Sequence, residues 1–227
     1  MHLRTLVALG STLVLSAVTL DLPLGAQIGQ RGARPTAPPQ TAPAILQYVT
    51  APTGNEARYL VKEQLAGVSF PNDAIGRTSA LTGMVTLDKA GKIIPDQSTF
   101  TVDLTTLKSD ADMRDRYIGR STLDTAKFPK VELVVKEVRG LTFPLPSSGT
   151  ATFELLGDLT VRDVTKPTTW QVKATMKDGG LAGTASTRFT FADFNMTKPR
   201  VARVLSVEDD IRLEYDFALV PKTGAGQ

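Results

Sequence analysis

Carboxylates and hydroxyls are the side chains best placed to do chemistry in this chain, because it contains no cysteine and its single histidine is His2. Three acids stand close together, at Asp110, Asp112 and Asp115. Such a group could supply a general acid and a general base for hydrolysis, or oxygen ligands for a hard cation. Acids at the start of a helix also stabilise its dipole. The pattern favours this structural role, and hydrolysis is kept as a minor hypothesis.

The residue types that are missing exclude several classes of protein. Without cysteine, and with the only histidine at the extreme amino terminus, no Ser-His or Cys-His dyad and no zinc-thiolate site is available. We therefore expect no catalytic residue, no metal site and no cofactor. Lysine and arginine number 26 against 23 acids, a net charge of +3, and they are dispersed along the chain. This distribution is typical of a solvated surface and predicts no nucleic-acid partner.

The first 55 residues predict an export signal followed by a linker. A basic start, an apolar run over 6–20 and small residues up to Ala26 are typical of a secretory signal peptide over 1–26. The run is shorter than the roughly 20 residues of a membrane span, so we expect no stable anchor after cleavage and a periplasmic or secreted protein. Residues 27–55 are rich in Pro, Ala and Gln, which predicts a flexible linker. The folded domain is predicted over 56–221, with a disordered tail over 222–227.

The elements of the predicted domain are mostly strands. Eight segments alternate between apolar and polar residues with a period of two, which is typical of strands with one buried face. Mostly short connections favour antiparallel pairing, and closure into a barrel would remove the exposed edges. The sequence therefore predicts an all-β fold, an eight-stranded antiparallel barrel. The segments are 58–65, 81–88, 100–104, 131–135, 153–161, 170–176, 185–191 and 211–219.

One segment departs from the strand pattern. Ser109 stands three residues before Asp112, a spacing similar to a capping box, and predicts a short helix over 109–120. We expect this helix to cover one end of the barrel. Arg114 and Asp115 are predicted to form an ion pair that holds it there.

Three motifs carry a family resemblance. They are GDLTVRDVTKPT at 157–168, DMRDRYI at 112–118 with Phe128-Pro129 after it, and DFNM at 193–196. Together with the strands, they resemble the YceI-like family, whose domain is lipocalin-like and binds polyisoprenoid lipids. Tyr117 stands where the family often has histidine, and Asp163 where it usually has glycine. From the residues alone, Lys166-Pro167 is interpreted as a turn and 193–196 as a cap with a core plug.

The resemblance implies an exported, non-enzymatic protein that holds a polyisoprenoid or similar long apolar lipid in a barrel tunnel. The alternative left open by the residues is a filled barrel that acts as a structural or protein-interaction module, and a homodimer is left open as well. Candidate contacts for a lipid head group are Arg114, Arg116, Lys198, Arg200 and Arg203. Candidate walls of the tunnel are Phe100, Val102, Leu133, Trp170, Val172, Phe189, Phe191, Leu213, Tyr215 and Phe217.

Overall fold

The computed structural model describes residues 45–222 of the protein. The predicted signal peptide over 1–26, most of the predicted linker and nearly all of the predicted tail lie outside these residues. Where the linker prediction overlaps the described part, it is wrong over Leu46–Thr50, which form a strand. This strand belongs to the domain because the Tyr48 side chain is buried in the core. At the other end of the domain, the Lys222 N–H donates to the Gln47 carbonyl at 2.9 Å.

Ten strands and one α-helix build the domain. The strands are β1 Leu46–Thr50, β2 Glu56–Leu65, β3 Asn72–Thr78, β4 Leu81–Leu87, β5 Thr99–Asp103, β6 Lys130–Arg139, β7 Gly149–Val161, β8 Val164–Lys177, β9 Gly180–Phe189 and β10 Val204–Pro221. Each strand pairs with its neighbours in antiparallel fashion within one sheet, in the order β1-β4-β5-β6-β7-β8-β9-β10-β2-β3, and β1 also pairs with β10.

The sheet closes into a barrel with eight positions around its ring. β1 and β2 follow one another along a single edge of β10, which pairs with β2 up to Asp216 and with β1 from Leu219 onward. β3 and β4 are likewise two halves of one position, interrupted at 79–80. The predicted eight-stranded antiparallel barrel is therefore confirmed, and two of its positions are broken strands.

The alternating segments place their apolar residues inside. In β8, Trp170, Val172, Ala174 and Met176 are all buried, and the residues between them are exposed. Equivalent alternation runs along the other long strands, so the core is the barrel interior. Within residues 45–222, no helix is long and apolar enough to cross a membrane.

β3 lies between the first two predicted strand segments, 58–65 and 81–88, where the sequence predicted no strand. Its inward positions are small residues, Ala74, Gly76 and Thr78, so no large apolar residue marks the face. Gly76 is required because the Tyr59 ring of β2 crosses it. A Cβ at Gly76 would lie 2.1 Å from Tyr59 Cε1.

The turn between β7 and β8 also differs from the prediction. It lies at Arg162 and Asp163, with Arg162 at a φ of 57°, and Lys166-Pro167 lies inside β8. Pro167 is tolerated because β8 pairs with β9 only from Gln171 onward, so one edge of the strand has no partner at this position.

The predicted helix is present as α1, Asp112–Tyr117, and continues as one π-helical turn over Ile118–Thr122. Its start differs from a capping box. The Ser109 hydroxyl donates to the Asp115 carboxylate at 2.7 Å, and Asp112 makes no capping bond. We call the barrel end that carries α1, the β2–β3 turn and the 190–203 connection the helix end. The far end carries the 88–98, 140–148 and 178–179 connections.

Candidate functional site

A large cavity of about 730 Å³ occupies the barrel interior. This volume is typical of pockets that hold a small molecule or a segment of lipid. All ten of the predicted wall residues line it: Phe100, Val102, Leu133, Trp170, Val172, Phe189, Phe191, Leu213, Tyr215 and Phe217. The structure thus brings together residues from five different strands and one short helical turn.

The cavity wall is almost entirely apolar, since its aromatic residues use their polar atoms elsewhere. Trp170 donates its indole N–H to the Thr168 hydroxyl at 3.0 Å. The Tyr215 hydroxyl donates to the side-chain oxygen of Asn55 at 2.7 Å, and burial raises the pKa of this phenol above its ordinary value. The wall therefore offers little hydrogen bonding to a ligand and mainly removes apolar surface from water.

A row of aromatic rings shapes the middle of the cavity. Phe100 and Tyr215 have ring centroids 5.8 Å apart, and Tyr215 and Phe217 have centroids 5.9 Å apart. Gly83 of β4 lets the Phe100 ring lie flat against the wall, because a Cβ at Gly83 would come within 1.9 Å of that ring. Replacing this glycine would push Phe100 toward the cavity.

The cavity opens at the helix end. Within residues 45–222, the lining residues that are exposed to solvent all belong to the β2–β3 turn, α1 or the 190–203 connection. We call this opening the mouth. The exposed residues around it are Ala66, Val68, Met113, Ala202 and Arg203.

A buried ion pair fastens α1 to the barrel at the mouth. Glu63 points inward from the end of β2, its side chain only 7% exposed, and accepts from the Arg114 guanidinium at 2.5 Å. Arg114 also donates to Asp110. Burial lowers the pKa of Arg114, but its bonds to Glu63 and Asp110 outweigh this effect, so the net pKa is raised. The predicted pair of Arg114 with Asp115 is wrong, because Asp115 instead accepts from Ser109.

These contacts also bear on the minor hypothesis of hydrolysis. Asp110 is an ion-pair partner of Arg114, Asp115 is a buried acceptor for Ser109, and Asp112 is exposed at the first turn of α1. Each acid thus has a separate position and does not share a substrate-facing site with the others. In the described part of the chain, no group of three carboxylates has the geometry to hold a metal ion.

The five predicted head-group cations divide into two sets. Arg114 and Arg203 line the cavity, and Arg116, Lys198 and Arg200 lie outside it. Arg200 is nevertheless close to the mouth, because its N–H donates to the Tyr117 hydroxyl at 3.5 Å. Tyr117 therefore links α1 to the 190–203 connection.

The far end of the cavity is covered by the 140–148 connection. Leu141, Phe143 and Leu145 turn inward and join the core. Phe143 packs directly on the backbone of Gly91, where a Cβ would lie 2.1 Å from the ring. Sequence reasoning missed this closure because Pro144 and Pro146 interrupt the short alternating run and argue against a strand.

The motif at 193–196 acts as predicted, as a cap and a core plug. Thr190 and Asp193 form a reciprocal capping box at the start of the helical turn over Phe191–Phe194. Asn195 ends the turn in the left-handed region at a φ of 51°, and the Phe194 side chain is completely buried. The plug fixes the start of the 190–203 connection beside the mouth.

Sequence reasoning also missed several other wall residues. Tyr48 was assigned to the linker, and Glu63 has no apolar character to mark it. Tyr59 and Phe153 fell on predicted strand faces, which was the available signal. Other large wall residues include Leu159, Met196 and Ile211.

A closed antiparallel barrel whose apolar cavity opens at one end defines the class of lipocalin-like binding barrels. Comparison with family models identifies the particular family. A YceI-like domain matches residues 48–219, and the chain belongs to the YceI-like family. The resemblance noted in the sequence is thereby confirmed.

Solved structures with the same fold have low sequence identity to this chain. A polyisoprenoid binding domain from Saccharophagus degradans is 13% identical, with a TM-score of 0.61, covering 78% of this chain and 99% of the other. BcnA of Burkholderia cenocepacia is also 13% identical, with a TM-score of 0.52 and coverage of 72% and 95%. The Campylobacter jejuni YceI protein is 16% identical, with a TM-score of 0.50 and coverage of 71% and 91%. The comparison with curated proteins gives no match.

Proposed function

We propose that this protein is an exported, non-enzymatic binding protein that holds a polyisoprenoid or a similar long apolar lipid inside its barrel. The observation that carries the proposal is the apolar cavity of about 730 Å³, covered at the far end and open at the mouth. The solved structure from Saccharophagus degradans has the same fold and is a polyisoprenoid binding domain. This similarity supports the proposed class of ligand.

The binding energy would come from burial of the lipid chain. Apolar surface removed from water contributes about 25 cal/mol per Å², or roughly 0.8 kcal/mol for each buried CH₂ group. A chain of several isoprenyl units therefore needs no directional contact to bind tightly. The cavity favours this function over the filled-barrel alternative, since a filled interior would leave no space for a ligand.

The head group of the lipid would remain at the mouth. Arg203 is exposed there and lines the cavity, whereas the charge of Arg114 is already compensated by Glu63 and Asp110. We assign Arg203 as the first contact for an acidic or strongly polar head group. The amino-terminal sequence supports export to the periplasm or to the medium.

Native mass spectrometry of the protein purified from the exported fraction tests this function. We expect a noncovalent adduct whose mass, after organic extraction, matches an isoprenoid lipid. A purified polyprenol added to delipidated protein should restore the same adduct. A protein that carries no lipid and binds none when polyprenol is added would contradict the proposal.

A further inference from the structure

The mouth carries a set of exposed apolar side chains that the cavity does not explain. Phe70 and Met113 are both 78% exposed, and Leu205 is 69% exposed. They come from three different elements: the β2–β3 turn, α1 and the start of β10. Large exposed apolar side chains grouped at one place typically mark an interaction surface.

Hydrogen bonds and one ion pair hold these elements together at the mouth. Val204 pairs with Leu65 across β10 and β2, and the Ala66 N–H donates to the Arg203 carbonyl at 2.8 Å. The Glu63–Arg114 pair attaches α1 to the same end of β2. The three elements that carry the exposed apolar side chains therefore meet around the opening.

Cations surround the same opening. Arg116, Lys198, Arg200 and Arg203 are exposed, and none of the four forms an ion pair with another residue in 45–222. Exposed acids without an ion pair also lie at this end, at Asp112 of α1 and at Glu208 and Asp209 of β10. The 190–203 connection, which borders the opening, nevertheless carries three exposed cations against one acid, Asp193, which caps its own helical turn. The positive charge beside the mouth is therefore concentrated on this connection.

We propose that the mouth docks on an anionic lipid bilayer. We define the docking surface as Val68, Phe70, Met113 and Leu205, with the cations Arg116, Lys198, Arg200 and Arg203. Exposed apolar tips would enter the headgroup region, and each cation near an anionic surface contributes on the order of 1 kcal/mol. The opening would then face the membrane, so that an apolar chain could pass between bilayer and cavity without crossing water.

This inference rests on the proposed function, because cargo exchange is the reason to place the opening against a membrane. Docking itself is nevertheless measurable without cargo. Flotation of the delipidated protein with vesicles of phosphatidylethanolamine and phosphatidylglycerol, free of isoprenoid, tests it directly. We expect binding that falls as salt rises, and at least tenfold weaker binding to vesicles of phosphatidylcholine alone.

Two pairs of variants locate the surface. Phe70→Ser with Leu205→Ser changes only residues outside the cavity wall and should weaken vesicle binding at least fivefold. Its matched control is Val220→Ser, an exposed apolar side chain at the far end. Lys198→Gln with Arg200→Gln should weaken binding at least fivefold, and its control is Lys173→Gln with Lys177→Gln on the outer face of β8. Both controls should bind vesicles as the parent does.

Failure of docking and failure of the proposed function are distinguishable. A parent protein that binds polyprenol in solution but floats with no vesicle would overturn docking alone. Equal losses in the far-end controls would also overturn it. So would a parent dimer, seen by analytical ultracentrifugation, that the Phe70→Ser and Leu205→Ser changes dissociate, because the apolar surface would then bind a second copy.

Discussion

The two ends of the barrel differ in whether they close the cavity. At the far end, Phe143 folds inward and packs on Gly91, and the exposed large apolar residues there, Leu46 and Val220, are only 38% and 39% exposed. At the helix end, Phe70 and Met113 are each 78% exposed beside the opening. The cavity is therefore asymmetric, with one covered end and one end that presents apolar surface to its surroundings.

The ends are also held by different forces. Apolar packing of the 140–148 connection closes the far end. At the helix end, the attachment of α1 depends on the buried pair of Glu63 and Arg114, residues 51 positions apart in the sequence. A buried pair is sensitive to the loss of either partner, whereas apolar packing weakens in proportion to the surface removed. Substitutions at the two ends should therefore have distinct consequences.

The largest expected effect comes from blocking the cavity between its ends. Ala185 lies on β9, opposite Tyr215 and Val172, and lines the cavity. Ala185→Trp should exclude several carbons of a lipid chain, at roughly 0.8 kcal/mol for each CH₂, and weaken polyprenol binding at least about a hundredfold. Fluorescence titration with a polyprenol measures the change.

Ala182→Trp is the matched control, since Ala182 lies on the same strand with its side chain exposed outside the barrel. It should bind polyprenol with the affinity of the parent. If Ala185→Trp folds and binds polyprenol unchanged, the lipid does not occupy the barrel interior.

The fold was predictable where the signal is local. Trp170, Val172, Ala174 and Met176 alternate within seven residues, and their burial follows from that spacing alone. β3 was missed because its inward residues are small, and Gly76 is explained only by the Tyr59 ring that crosses it from β2. This requirement arises from a tertiary contact, so it leaves no periodic pattern in the sequence.

The residues that line the site could be predicted from the sequence, but the presence and size of the cavity could not. All ten wall candidates line the cavity because inward-facing apolar positions of a barrel share one interior. Whether that interior is filled depends on how side chains from opposite strands pack against one another. The residue pattern of a single segment carries no information about this packing. The Glu63–Arg114 pair was missed for the same reason, and the nearer Asp115 was a natural but wrong partner.

The second prediction concerns the ion pair at the helix end. Arg114→Met leaves the buried Glu63 carboxylate without its guanidinium and should lower the free energy of unfolding by about 3 kcal/mol. Adding Glu63→Leu removes the unpaired charge and should restore most of that loss. Urea denaturation at neutral pH measures both. A double variant no more stable than Arg114→Met would show that the pair is not what fastens α1.

The third prediction applies one substitution to both ends. Phe143→Ala removes a half-buried ring that covers the far end and should cost about 2 kcal/mol of stability. Phe70→Ala removes an exposed ring at the helix end and should change stability by less than about 0.5 kcal/mol. Because Phe143→Ala also uncovers the cavity, we expect polyprenol to dissociate faster from that variant, as measured by stopped-flow transfer. Equal effects of the two substitutions on stability and on polyprenol dissociation would contradict the proposed difference between the ends.

The smallest expected effect lies on the outer wall between the ends. Arg58 binds Glu56 at 3.0 Å, Glu214 at 3.1 Å and Asp216 at 2.5 Å. The hydrogen bond from Arg58, with a further one from Thr184, holds the pKa of Asp216 below its ordinary value. The folded state therefore binds this proton less tightly than the unfolded state does.

The stability from Asp216 is thus complete above its ordinary pKa of about 4 and is lost as pH falls below that value. Asp216→Asn should lower stability at neutral pH by less than about 1 kcal/mol, since the pair is partly exposed, and should flatten the loss of stability between pH 5 and about pH 2. Urea denaturation across that range compares the variant with the parent. Identical acid profiles would show that Asp216 does not contribute to the loss of stability in acid.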